Sequence, residues 1–92
     1  MQIRASHILV KTEPEAVAII SALNKGIPFA ELAKKHSMCP SKSQGGDLGY
    51  FGKGQMVAPF ENAAMALGVG GISGPVKTEF GWHVIKLTDR KN

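Results

Sequence analysis

One cysteine in 92 residues excludes an internal disulfide, so the chain must be held by an ordinary hydrophobic core, and a domain of this size keeps little stability in reserve. Long apolar runs are also missing, since none approaches the length needed to cross a bilayer. At the N-terminus, MQIRASHILVK, the apolar stretch is too short for a signal peptide and no small-residue cleavage site follows it. With the unpaired Cys39, this predicts a cytosolic protein. Lys and Arg outnumber Asp and Glu by 11 to 7, but no basic run exceeds two residues. The charge therefore lacks the clustering that nucleic acid requires and reads as a solvated surface. Repeats and low-complexity segments are absent, and the 43 % hydrophobic and 20 % charged fractions leave one globular domain over residues 1–92, expected to be a monomer.

The most unusual stretch is Cys39 to Phe60, CPSKSQGGDLGYFGKGQMVAPF. Gly45, Gly46, Gly49, Gly52 and Gly54 fall within ten residues, yet Leu48, Tyr50, Phe51, Met56 and Phe60 are interleaved with them instead of the polar filler of a linker. Glycine at this density marks left-handed turns, or places where another backbone or a ligand comes close. Taken alone, the stretch reads as a glycine-punctuated hairpin feeding a helix.

Around it the pattern predicts α+β. Gln2 to Val10 alternates as a strand, with Ile3, Ala5, His7 and Leu9 on one face and Arg4, Ser6, Ile8 and Val10 on the other; apolar residues on both faces predict a central position. Thr12-Glu13-Pro14-Glu15 has the form of a helix cap, followed by Ala16, Ile19, Ile20 and Leu23 at helical spacing and a stop at Asn24-Lys25-Gly26. A shorter helix places Phe29, Leu32, Ala33 and His36 on one face and ends near Ser37. A strand is expected at Leu48 to Phe51, then a third helix from about Pro59, with Phe60, Ala63, Ala64 and Leu67 inward and Gly68 as its end. After the VGGISGP loop come an edge strand over Pro75 to Thr78 and a last strand over Trp82 to Thr88, with His83, Ile85 and Leu87 on one face.

His7 and His83 thus occupy positions where apolar residues are expected. Either alone reads as a satisfied core histidine; two of them, with a lone cysteine on a glycine-rich loop, read equally as a site if the first and last strands pair. His36 reads as a helix end and nothing more. No third, orienting carboxylate and no oxyanion-hole signature supports a Cys/His hydrolase. The spacing of Cys39, His7 and His83 matches no metal-ligand pattern, so neither metal nor cofactor is expected.

ASHILVK at 5–11, FAELAKKHS at 29–37, CPSKSQGGDLGYFGKGQMVAPFE at 39–61 and GPVKTEFGWHVIKL at 74–87 together carry a resemblance. The chain resembles the parvulin-type peptidyl-prolyl cis/trans isomerases, in particular small single-domain members of prokaryotic type. The resemblance implies an FKBP-like superfold: a four-stranded antiparallel sheet surrounded by helices, in the order β-α-α-β-α-β-β. By position it makes His7 and His83 the paired histidines, Cys39 the active-site thiol and Thr78 their hydroxyl partner. It makes Leu48, Met56 and Phe60 the proline pocket, with Gln55 and Phe80 as neighbouring substrate contacts. On this reading Phe60 belongs to a partly open pocket and matters more to turnover than to folding. The implied activity is non-covalent acceleration of Xaa-Pro rotation in flexible polypeptides, assisting folding. A non-catalytic proline-peptide-binding or chaperone module on the same fold is the alternative. Phosphate-directed members carry a basic cluster after the first strand; here Lys11 leads straight into the Thr12 cap and Glu13, so uncharged or apolar residues are expected before proline.

Overall fold

The computed structural model describes residues 2–91. Strand β1 (Gln2–Val10) and strand β4 (Gly81–Lys91) pair antiparallel at the centre of a four-stranded sheet of order β2-β1-β4-β3, with β2 (Asp47–Gly52) and β3 (Val76–Thr78) at its edges. Both β1 and β4 are apolar on two faces because each face meets a helical layer. Ile8, Val10 and Val84 pack under helices α1 (Glu13–Asn24) and α2 (Phe29–His36), while Ile3, Ala5, Phe51, Ile85 and Leu87 pack under helix α3 (Ala58–Met65). The observed order is the expected one with one addition, a 3₁₀ turn over Pro40–Gln44 between α2 and β2.

The ladder between β1 and β4 is interrupted once. The register of β1 against β4 shifts between Arg4, opposite Asp89, and Ala5, opposite Leu87. The skipped residue, Thr88, donates its hydroxyl to the Arg4 carbonyl at 3.0 Å, which satisfies a group the bulge would otherwise strand. The shift leaves His7 and His83 on the same face: His7 lies opposite Ile85 and His83 opposite Leu9, so the two imidazoles are diagonal neighbours on adjacent strands.

Helix α1 starts where its cap predicts. The Thr12 hydroxyl oxygen accepts the Glu15 N–H at 3.4 Å and its O–H donates to Glu15 Oε1 at 3.0 Å. Helix α2 buries Phe29, Leu32 and Ala33, but His36, expected on the same face, is exposed in the last turn. Helix α3 ends earlier than Gly68 suggests: its last residue is Met65, with Ala66 as the cap. The cause lies on β4. The Arg90 guanidinium donates to the carbonyls of Met65 (3.4 Å) and Leu67 (2.9 Å), and Gly70 N–H is already bonded to Leu87 O at 2.7 Å. Long-range partners for the last carbonyls let the chain leave the helix without waiting for its glycine.

One glycine fixes the position of β1 relative to the 3₁₀ turn. Gly46 has φ +87° and its carbonyl accepts the His7 N–H at 2.9 Å; a Cβ there would run into the His7 carbonyl oxygen and stand 3.3 Å from Ala33 Cβ. Gly49, at φ +71°, has nothing near its missing side chain. Gly49→Ala should therefore destabilise by only the roughly 1–2 kcal/mol of a left-handed residue, whereas Gly46→Ala adds a backbone collision and should lose clearly more, with perturbed His7 resonances. Urea unfolding of the two variants measures this, and equal losses would show that the approach at Gly46 is not required.

Candidate active site

Two imidazoles buried side by side are an unusual use of core space. His7 and His83 are 5 % and 4 % exposed, their rings stack at 5.1 Å, and their Nδ1 atoms are 2.9 Å apart. Phe60 stands edge-on to both, at 5.5 Å from His7 and 5.3 Å from His83. On its other side, His83 Nε2 lies 2.7 Å from Thr78 Oγ1, which also accepts the Phe80 N–H at 3.2 Å. Among the described residues His7 Nε2 is buried and has no partner.

Two proton arrangements satisfy this ladder. In one, His83 donates from Nε2–H to Thr78 Oγ1 and His7 donates from Nδ1–H to His83 Nδ1, so that His7 Nε2 is a bare lone pair. In the other, the Thr78 hydroxyl donates to His83 Nε2, His83 Nδ1–H donates to His7, and a buried His7 Nε2–H is orphaned. The first leaves only an acceptor unpaired and is the less costly. In the first arrangement a second proton on His7 would go to the buried, unpartnered Nε2, and one on His83 would place N–H against N–H at the shared Nδ1 contact. Desolvation, then the neighbouring His83, accordingly lowers His7 to about 4, and desolvation lowers His83 as well. Burial thus favours the neutral form of both rings.

The thiol arrives on a segment pinned to the end of β1. Ser37, buried just after α2, uses one oxygen to accept both the Leu9 N–H (3.1 Å) and the Cys39 N–H (3.3 Å), and Met38 N–H donates to Leu9 O at 2.8 Å. Cys39 then opens the 3₁₀ turn, partly exposed and unpaired. Opposite it, the β2–α3 connection brings in Gln55 and Met56. His7, Cys39, Leu48, Gln55, Met56, Phe60, Phe80 and His83 all line one mainly apolar cleft of about 470 Å³. Thr78 alone among the expected residues does not line it; it lies behind His83. Phe80 stands at the rim, 61 % exposed.

Phe60 requires a correction. It lines the partly open cleft as expected, but it is 3 % exposed and packs with Phe51 and the Ile3–Ile85–Leu87 cluster, so it matters to folding as well as to turnover. Its ring closes the core and floors the cleft at once, because α3 crosses the sheet directly over the histidines. Sequence reasoning also passed over Ser37, read as a helix end, and Ser73, whose hydroxyl accepts the Ile85 N–H at 3.0 Å beside the site. A depression of about 430 Å³ on the other sheet face is lined by Phe29, Ala30 and mostly polar or charged residues, among them Arg4 paired with Asp47 and Asp89 accepting from the Tyr50 hydroxyl outside the depression. It presents no comparable apolar floor.

Comparison with known proteins agrees with this geometry. A family described as rotamase, the PPIC-type PPIASE domain, matches residues 7–89. The foldase protein PrsA of Geobacillus sp. (strain WCH70) is 56 % identical over 91 residues, covering 98 % of this chain and 33 % of the relative. The chain thus spans about a third of the length of the curated relatives it matches. Among solved structures, the peptidylprolyl isomerase PrsA of Bacillus anthracis superposes with a TM-score of 0.97 at 51 % identity, over 99 % of this chain and 42 % of that one. The parvulin of Nitrosopumilus maritimus superposes with a TM-score of 0.87 at 49 % identity, over 96 % of each chain.

The neutral pair makes stability depend on acid. Since His7 titrates lower in the folded than in the unfolded chain, the unfolded state takes up more protons between pH 6.5 and about 4. Stability is full above that window and falls as pH drops through it, by about 3 kcal/mol for His7 alone. Unfolding curves at pH 7 and pH 4 should converge less for the wild type than for His7→Gln, which lacks the titrating group. Parallel losses in the two proteins would show that His7 is not held neutral.

Proposed function

The chain belongs to the family of PPIC-type peptidyl-prolyl cis/trans isomerases, and from that membership we propose that it accelerates rotation about Xaa-Pro bonds of flexible polypeptides by non-covalent stabilisation of the twisted amide. The observation that carries this is the apolar cleft floored by Phe60 and a neutral histidine pair. A planar prolyl amide is dipolar through resonance, and rotation over its barrier of roughly 20 kcal/mol removes that charge separation. Transferring the bond from water to a dry cleft therefore penalises the ground state more than the twisted state. Leu48, Met56 and Phe60 supply the surface that holds the pyrrolidine ring, with methionine adapting to its shape. A thousandfold acceleration needs only about 4 kcal/mol of such differential stabilisation.

In this reading His7 and His83 do not transfer protons. Their facing nitrogens are engaged with each other and His83 Nε2 with Thr78. They act as positioning residues that keep the floor uncharged and rigid. Among the described residues no hydrogen bond joins Cys39 Sγ to either imidazole, so the thiol lacks the adjacent base of an activated nucleophile. Cys39 is instead a polar edge beside the twisting carbonyl. Cytosolic location, a monomeric state and assistance to folding clients are further proposals of this reading.

Two experiments test it. Solvent-jump isomerisation kinetics on a peptide series should show Leu-Pro and Ala-Pro turning over faster than phosphoserine-Pro, because Lys11 stands next to Glu13 and Glu15 with no basic cluster; the reverse order would contradict the specificity. On the same assay Cys39→Asp should retain substantial activity and Cys39→Ala should lose more, with no mass-spectrometric adduct on the wild type. An inactive but folded Cys39→Asp protein together with a trapped covalent adduct would overturn the non-covalent mechanism.

A further inference from the structure

The connection from β2 to α3, residues 53–57, carries three of the cleft-lining residues, Gln55, Met56 and Val57, of which Met56 and Val57 also pack against the core while the stretch before them does not. Lys53, Gly54 and Gln55 are exposed, and Gly54 takes a left-handed φ of +88°. Among the described residues three hydrogen bonds hold its exposed part, residues 53–55. Two are local: Gln55 N–H donates to Gly52 O at 3.3 Å, and Gly52 N–H donates to Gln55 Oε1 at 2.5 Å. The third reaches outside the loop, where Gly54 N–H donates to Glu61 Oε1 on α3.

Glu61 is an odd residue for its place. It is 8 % exposed, next in sequence to the cleft floor Phe60, and among the described residues no cation pairs with it. A carboxyl side chain buried without a cation is retained only where a hydrogen-bonding role offsets its desolvation. Among the described residues the only hydrogen-bond partner of its carboxylate is the Gly54 amide, and its location in the first turn of α3 provides the favourable end of the helix dipole. Because α3 is anchored over the histidines through Phe60, a bond from Glu61 to Gly54 ties the exposed part of this cleft wall to the cleft floor.

We propose that Glu61 is a positioning residue that clamps the 53–57 loop and so sets the width of the cleft at Met56 and Gln55. The inference rests on the isomerase reading for its kinetic consequence but not for its structural one. The clamp acts on how the substrate is held, so its loss affects binding before it affects the bond rotation that follows. Gln at this position keeps the acceptor; Asp withdraws it by one methylene; Leu removes it.

The test combines amide exchange by NMR with kinetics at a temperature well below unfolding. In Glu61→Leu and Glu61→Asp, exchange at Gly54 and its loop neighbours should accelerate by about tenfold while β1 and β4 amides keep their protection. KM for an Ala-Pro peptide should rise by about tenfold with kcat within about twofold. Glu61→Gln should restore both to near wild type. If Leu proves too disruptive to fold, the Asp and Gln variants carry the comparison alone. Unchanged Gly54 exchange in a folded Glu61→Asp protein, or equal loss of protection across the whole sheet, would overturn the proposal. Exchange needs no turnover, so a wild type without isomerase activity would defeat the functional reading while leaving the clamp to be decided by the Gly54 amide.

Discussion

The contact on which the site depends is the 2.9 Å approach of the Nδ1 atoms of His7 and His83. It forms only if β1 and β4 pair in the observed register, because a one-residue slip would send one imidazole to the α1–α2 face. Desolvation disfavours charging either ring there. The neighbouring features all serve that geometry. Gly46 lets the 3₁₀ turn bond to the His7 backbone, Thr78 holds the far nitrogen of His83, and Phe60 seals both rings from above. The Thr88 bulge absorbs the register change on the far side of Leu87 and so leaves the histidine diagonal regular.

This arrangement sets folding and chemistry in tension within one small core. Apolar side chains of similar volume at positions 7 and 83 would remove two desolvated polar groups and an unpaired Nε2, and would stabilise the domain as buried polar-to-apolar exchanges commonly do. The chain keeps the imidazoles, and their burial places a polar but uncharged surface beneath an apolar cleft. Phe60 shows the same dual use. Its ring contributes to the cluster of Ile3, Phe51, Ile85 and Leu87 while forming the wall against which a proline would lie. Core and site are one packing unit here, which is why a residue assigned from its sequence position to the pocket alone is found in both.

The fold class was legible because its signals are local or periodic. Two-residue alternation around His7 and His83, the Thr12 cap with Pro14 in the first turn, and the Gly26 stop each point to one structure. Less legible were features decided by partners far along the chain. The end of α3 is set by Arg90, not Gly68, and the 3₁₀ turn at Pro40–Gln44 has no periodicity to reveal it. Ser37 and Glu61 look like ordinary helix-end and helix-surface residues, yet each serves a backbone amide from a different element. The candidate site was legible as a set of residues through family resemblance. The hydrogen-bond ladder beneath it depended on which strands pair and in what register.

The central claim is that a dry cleft over a neutral histidine pair is itself enough to speed prolyl rotation. The direct test is two-dimensional exchange NMR on an Ala-Pro peptide with the protein present at a small fraction of the peptide concentration. The account predicts cis/trans exchange cross-peaks on a timescale where the free peptide shows none, at a pH where both histidines are neutral. Chemical-shift changes that report binding of the peptide, with cis/trans exchange remaining at the uncatalysed rate, would contradict it and leave a proline-binding module on the same fold.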